Sequence, residues 1–292
     1  MSPGGSAVPR RVLSRQLKKL REESGVSPAV AAKRIGIAAN TMWRLESGYP
    51  VRLYPPMIES LCELYEASPD TTKALLELLE RSRQPGWWYA YRGAIREGFD
   101  LYLGLEEAAN RLTIFQTTAI PGLVQIADYR RATVQAASAG MAADEIDRRV
   151  EVQMRRQDRL QDKRFSLNVL LSEAALRHRL GGPDVMERQM RHLLEVGKLP
   201  NVSIRVVPFA NPNPYGLLSN SFILVEFPQR NGNASLVESP VAYVEGYTGA
   251  LYQDKEDEIR QYLAVIPEIE KVALSEDQSR DLVLDITKEY EK

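Results

Sequence analysis

Apolar residues recur at helical spacing near the start of the chain, at Leu13, Leu17 and Leu20, and Ser24-Gly25 ends the run. The stretch before it, MSPGGSAVP, has no such period and is expected to be a flexible arm. Ser27-Pro28 offers an N-cap with proline at the first helical position, so a second helix is predicted through Ala31, Ala32 and Ile35 to Gly36. After a tight turn, Asn40 to Ser47 sets Met42 and Leu45 inward, and Gly48 closes a third helix. The segment MIESLCELY reads as a supporting helix, and residues 71–82, with Leu75, Leu76, Leu78 and Leu79, as a further amphipathic one.

Pro85 and Gly86 then break the period within RSRQPGWWYAYRG, which predicts a boundary between residues 10–84 and residues 85–292. Trp87, Trp88, Tyr89 and Tyr91 read as an interdomain or dimer packing patch rather than a ligand cage, because aromatic clusters mostly supply buried area. Beyond them RLTIFQTTAIPG predicts a strand and turn, with a helix around Tyr129 and a long charged helix over residues 144–163. FSLNVLLS is a strand that feeds the helix EAALRHRL, and Gly181-Gly182 turns the chain into a helix over 183–197. NVSIRVVPF, SFILVEF and the pair SLVES and VAYVE predict further strands, partly antiparallel, and two helices finish the chain. The fold expected is multi-domain: an N-terminal all-α helix-turn-helix domain followed by an α+β domain.

Where two helices cross, a helix-turn-helix needs a small residue, then a glycine in the turn and apolar residues that lock the second helix. Ala32, Gly36, Ile37, Met42 and Leu45 meet those needs in order. With Glu46-Ser47-Gly48 behind them, residues 11–66 resemble the Xre/Cro-type helix-turn-helix family. That resemblance implies that the third helix reads base edges in the major groove, through Ala38, Ala39, Asn40, Thr41 and Arg44. Asn can pair with adenine, Arg with guanine, and alanine methyls can touch thymine. Trp43 either packs on the sugar-phosphate backbone or covers the domain's own edge. Ser27, Lys33 and Arg34 are candidates for phosphate contacts; Pro28 stands where the family often has a phosphate-binding Gln. Convergence of the first and third helices also predicts a bidentate pair between Arg21 and Glu46.

Charge adds a second signal. Residues 1–52 hold ten Lys/Arg against three acids, a surplus of seven, and the net charge of −1 leaves the rest at −8. A polyanion is attracted to the first segment and weakly repelled by the remainder, although a basic solvated face has the same composition. Double-stranded DNA is the partner expected. One helix-turn-helix reads a short half-site, so a homodimer is expected too.

The second region has its own signature. Ile120-Pro121-Gly122-Leu123-Val124-Gln125, Arg155-Arg156-Gln157, Ser172-Glu173-Ala174-Ala175-Leu176 and Val207-Pro208-Phe209 occur in that order, with Phe222 and Tyr243-Val244-Glu245 after them. Over residues 95–290 this is similar to the C-terminal domain of actinobacterial WhiJ-like, antitoxin-like regulators. The resemblance implies an N-terminal Xre-type module and a small protein partner; a small-molecule effector bound by the second domain is the alternative. The sequence departs from the pattern at Asn211-Pro212-Asn213-Pro214-Tyr215, where the family has a Gly/His-containing loop.

Chemistry-bearing residues are sparse. One cysteine, Cys62, permits no intramolecular disulfide or cysteine cluster, and two histidines, His178 and His192, read as helix-surface residues rather than metal ligands. No phosphate loop, zinc signature or nucleophile–base set is found, so neither a cofactor nor an enzymatic activity is expected. No apolar run of membrane length and no leader pattern occurs, which predicts a cytoplasmic protein without membrane contact. Candidate ligand or partner residues are Arg155 and Arg156 on the charged helix, Glu173 at a helix start, and Tyr243 with Glu245 at a strand end. For Arg155 and Arg156 a solvated face, and for Glu173 a favourable helix dipole, account for the same residues.

Overall fold

The computed structural model describes residues 7–96, 98–138, 140–210, 220–228, 238–246 and 249–291. They divide into two compact units, and the first comprises residues up to Arg92, Phe99–Ala108, and Pro228 with Glu238. It therefore takes in segments well beyond residue 84.

Unit 1 is helical. Helices α1 (Ala7–Glu23), α2 (Pro28–Arg34), α3 (Ala39–Glu46), α4 (Pro55–Leu64) and α5 (Pro69–Arg83) surround a core of Leu13, Leu17, Ala32, Met42, Leu45, Ile58, Leu61 and Leu75. Prolines at the first turns of α2, α4 and α5 need no amide partner there and preset the helical φ. A short 3-10 turn, Trp87–Tyr91, leads to α6 (Phe99–Ala108), which packs on α1.

The end of the expected N-terminal arm is a correction, the arm's first six residues lying outside the described ones. Ala7, Val8 and Pro9 form the first turn of α1, with Ala7 and Pro9 buried. The physical reason is α6: a Cβ at Gly104 would lie 2.9 Å from Ala7 Cβ, so the glycine admits the helix start. Trp88 is likewise used within its own unit. It is buried and folds over Gly86, where a Cβ would come within 2.3 Å of its ring. Trp87 meets Trp88 and Tyr91 edge-on at 5.8 and 6.1 Å.

Unit 2 is built on one mixed sheet of six strands: β1 (Arg111–Gln116), β2 (Ser166–Ser172), β3 (Val202–Val207), β4 (Phe222–Glu226), β5 (Val241–Gly246) and β6 (Gly249–Gln253). Their order is β3-β2-β1-β4-β5-β6. Strands β1, β2 and β3 run parallel, as their helical crossovers require, while β4 to β6 add antiparallel. The crossovers are α7 (Ala127–Ala137) with α8 (Ala143–Arg156), and α9 (Glu173–Arg177) with α10 (Pro183–Val196). Helix α11 (Glu256–Val272) covers one sheet face through Phe115, Leu170, Phe222, Leu224 and Ala242. Helix α12 (Glu276–Tyr290) packs on α10 and β3. By alternation along β5, Tyr243 points to the face opposite α11.

The expected helix over 144–163 stops at Arg156 and continues as a 3-10 turn over Gln157–Gln161. Gln157 turns inward there, donating Nε2 to the carbonyls of Gln125 at 2.6 Å and Gly122 at 3.1 Å. The expected strand SLVES falls mostly outside the described residues, as does the loop from Asn211 to Tyr215.

Candidate functional site

Ser27 caps α2 through its hydroxyl, which accepts from Val30 N at 3.3 Å, a bond whose removal costs about 1 kcal/mol in comparable caps. Gly36 sits at φ +69 in the turn, a conformation that favours glycine, and Ile37 N closes on Ala32 O at 3.0 Å. Met42 and Leu45 are buried beneath α3. The opposite face carries Ala38, Ala39, Asn40, Trp43 and Arg44, all exposed, with Thr41 half-buried at its margin.

Trp43 remains 58% exposed although its ring lies 5.7 Å from that of Tyr49, itself exposed. A large aromatic pair is therefore presented on the same side as Asn40 and Arg44, not buried under the domain. Lys33 is exposed on α2. Arg34 is exposed as well, but its guanidinium pairs with Glu63 of α4, so its charge is shared. The frame beneath is held by Arg21. Its Nε and Nη2 donate to the Glu46 carboxylate at 2.5 and 2.9 Å, and its Nη1 donates to Val26 O at 3.0 Å. Burial opposes the charge, but the Glu46 hydrogen bond outweighs it and holds the guanidinium pKa above its ordinary value. On the other side of α1, Arg10 Nε donates to Gly48 O at 3.1 Å, tying the helix to the turn after α3. The Glu238 carboxylate, almost wholly buried, accepts from Arg11 at 3.0 Å and Arg15 at 3.4 Å.

In unit 2 the predicted residues separate into two groups. Glu173 is a positioning residue: its carboxylate accepts from Arg177 Nε at 2.6 Å and from Phe209 N at 2.8 Å, which fixes the exit of β3 against the start of α9. Arg155 is exposed on the outer side of α8. Arg156, Tyr243 and Glu245, in contrast, come together around a residue not singled out from the sequence, Arg130. It stands on the side of α7 shared by Ala127 and Val134, which pack against Ile146 and Val150 of α8. Arg149 and Arg156 lie two turns apart on α8, with Gln153 between them accepting from Arg156 Nη1 at 2.6 Å.

Burial, with Arg156, Arg149 and Arg96 nearby, pushes the Arg130 guanidinium down to about 10, opposed only by Glu245. Arg96 pairs with Glu245 at 2.7 Å, and Arg149 with Glu145 at 2.8 Å. Tyr243 lies in the same cluster; burial first, and Glu245 next, push its phenol up to about 12. The sequence signal was present but faint, a basic residue on the inward stripe of α7 and two more at helical spacing on α8.

His178 is exposed at the end of α9, as expected, but His192 is a correction. It is half-buried on α10 with Nε2 out of reach of solvent and of any partner among the described residues, and burial lowers its pKa. It shares its side of α10 with Arg188, which pairs with Asp128 of α7, and with Gln189, which donates to Val124 O, so the packing of α10 toward α7 turns the ring inward. Among the described residues no group of three His, Cys, Asp or Glu side chains is placed to hold a metal ion, and no helix is long and apolar enough to cross a membrane.

Two family models match the chain. A helix-turn-helix domain matches residues 12–75, and a domain of unknown function, DUF5753, matches residues 99–285. No curated protein and no solved structure matches it.

Proposed function

From the premise that the chain belongs to the DUF5753 family and carries a helix-turn-helix domain ahead of that region, we propose that it is a sequence-specific transcription regulator of Xre type. The observation that carries this reading is the face of α3, where Ala38, Ala39, Asn40, Trp43 and Arg44 are exposed on a helix tied to α1 by the Arg21–Glu46 pair. Asn40 and Arg44 read bases, Trp43 packs on the sugar-phosphate edge beside them, and Ser27 and Lys33 meet phosphates with the amides that open α2. The basic first segment supplies the sequence-independent attraction. The chain acts as a homodimer on a two-fold site and catalyses no reaction. Its C-terminal domain resembles those of WhiJ-like, antitoxin-like regulators, and by that likeness it receives a small protein partner.

A second reading is favoured by the arginine cluster of unit 2: that domain binds a small anionic effector, which biases the dimer.

Fluorescence anisotropy with a selected operator and its single-base variants tests the DNA reading. Asn40→Ala and Arg44→Ala should each cost about 1–3 kcal/mol and relax preference at particular base pairs. Lys33→Ala should weaken all sequences alike and shallow the salt slope by about one unit. Unchanged discrimination in both α3 variants would place the reading surface elsewhere.

A further inference from the structure

Unit 2 shows what a structural arginine looks like in this protein. Arg205 is held by three carbonyls, its Nε donating to Leu274 O at 2.8 Å and its Nη2 to Glu270 O and Ala273 O at 2.6 and 3.0 Å. Arg130 is the opposite case. Its Nε is buried with no hydrogen-bond partner, and no ion pair holds its guanidinium among the described residues. Like charge from Arg149, Arg156 and Arg96 acts on it, while the one carboxylate that opposes them, Glu245, is engaged by Arg96 at 2.7 Å. Burying a cation among cations is unfavourable unless an anion completes the set.

We infer that Arg130, with Arg149 and Arg156 beside it on α8 and the buried Tyr243 across the sheet, forms a site for a small phosphate-bearing ligand. Several guanidinium groups converging from two helices suit the three oxygens of a phosphoryl group better than the two of a carboxylate. A ligand there would add an anion between α7 and α8, which already pack through Val134, Ile146 and Val150, at the point where their arginines repel. The inference deepens the small-molecule reading above and draws its regulatory meaning from it, but anion binding itself is independent of DNA.

The test is the melting temperature of the full chain titrated with inorganic phosphate and with glycerol 3-phosphate, against chloride at matched ionic strength. A saturable rise in Tm is expected for the phosphates and not for chloride. Arg130→Gln should weaken binding roughly tenfold to hundredfold, without lowering the ligand-free Tm, because it removes a stranded cation. Arg44→Ala should leave phosphate binding unchanged. A tighter response to the ester marks a metabolite site, and an equal response a site for the free ion; both support the inference. No saturable rise, an unaltered response in Arg130→Gln, or a response lost only in Arg44→Ala would overturn it. The last outcome would move the anion to the DNA-binding face and leave the DNA reading intact.

Discussion

Arg21 and Glu46 form a two-pronged ion pair between the ends of α1 and α3, with both side chains only 9% exposed. Because Val26 O takes a third donor of the same guanidinium, one residue sets the angle between the core helix, the reading helix and the loop into α2. Glu46→Ala strands that guanidinium and should cost on the order of 3 kcal/mol in urea denaturation. Replacing both partners, as Arg21→Met with Glu46→Leu, should recover most of the loss, since no charge is then left buried. A single variant as stable as the parent would show that the pair sets geometry without contributing to stability.

The approach of α1 to α6 depends on Gly104. A methyl group there meets Ala7 Cβ at 2.9 Å and Ala7 N at 3.3 Å, both fixed by the backbone. Gly104→Ala should therefore destabilise unit 1 by about 1–3 kcal/mol despite its better helix propensity. Calorimetry reads this directly; a higher melting temperature would mean that the first turn of α1 peels away at little cost.

His192 makes stability depend on pH in a defined direction. Burial holds its folded pKa below the ordinary value near 6.5, so folding favours the neutral ring. The unfolded chain takes up the proton first as pH falls, so this stability is complete above about pH 6.5 and is lost as pH descends through the folded pKa. Denaturation midpoints between pH 7.5 and about pH 5 should fall less steeply in His192→Gln than in the parent. Parallel profiles would assign the acid sensitivity to other groups.

Sedimentation of the full chain at micromolar concentration, without DNA, should give a dimer. A monomer that pairs only on operator DNA would remove the homodimer from the proposed function.

Much of unit 1 was legible because its punctuation is local. Ser27-Pro28, Gly36 and Gly48 mark the ends of α2 and α3 through capping and φ alone, whatever the rest of the chain does. Helix α6 escaped because Tyr102, Leu103, Gly104, Leu105 and Glu106 are buried in succession, so no stripe marks an amphipathic face. Strand β6 escaped for the converse reason: Gly249–Gln253 is short, lies at the sheet edge and buries no residue fully. The run in β2 announced a strand, which the sheet buries on both faces, but its parallel partners β1 and β3 are dictated by distant crossovers. The arginine cluster was half visible. Arg156, Tyr243 and Glu245 stood out in motifs, whereas Arg130 acquires its meaning only when α7 packs against α8.

Glu238 arrives more than two hundred positions after the α1 arginines it neutralises, and α6 is also encoded beyond the helix-turn-helix. On the ribosome, then, the reading head emerges early but lacks its counter-ion until most of the C-terminal region has been synthesised. A fragment ending near residue 84 would retain the recognition helix while leaving Arg11 and Arg15 without that carboxylate, and Ala7 without its groove. Such a fragment is the wrong reagent for measuring the operator affinity of this protein: its surplus positive charge would inflate binding to any DNA.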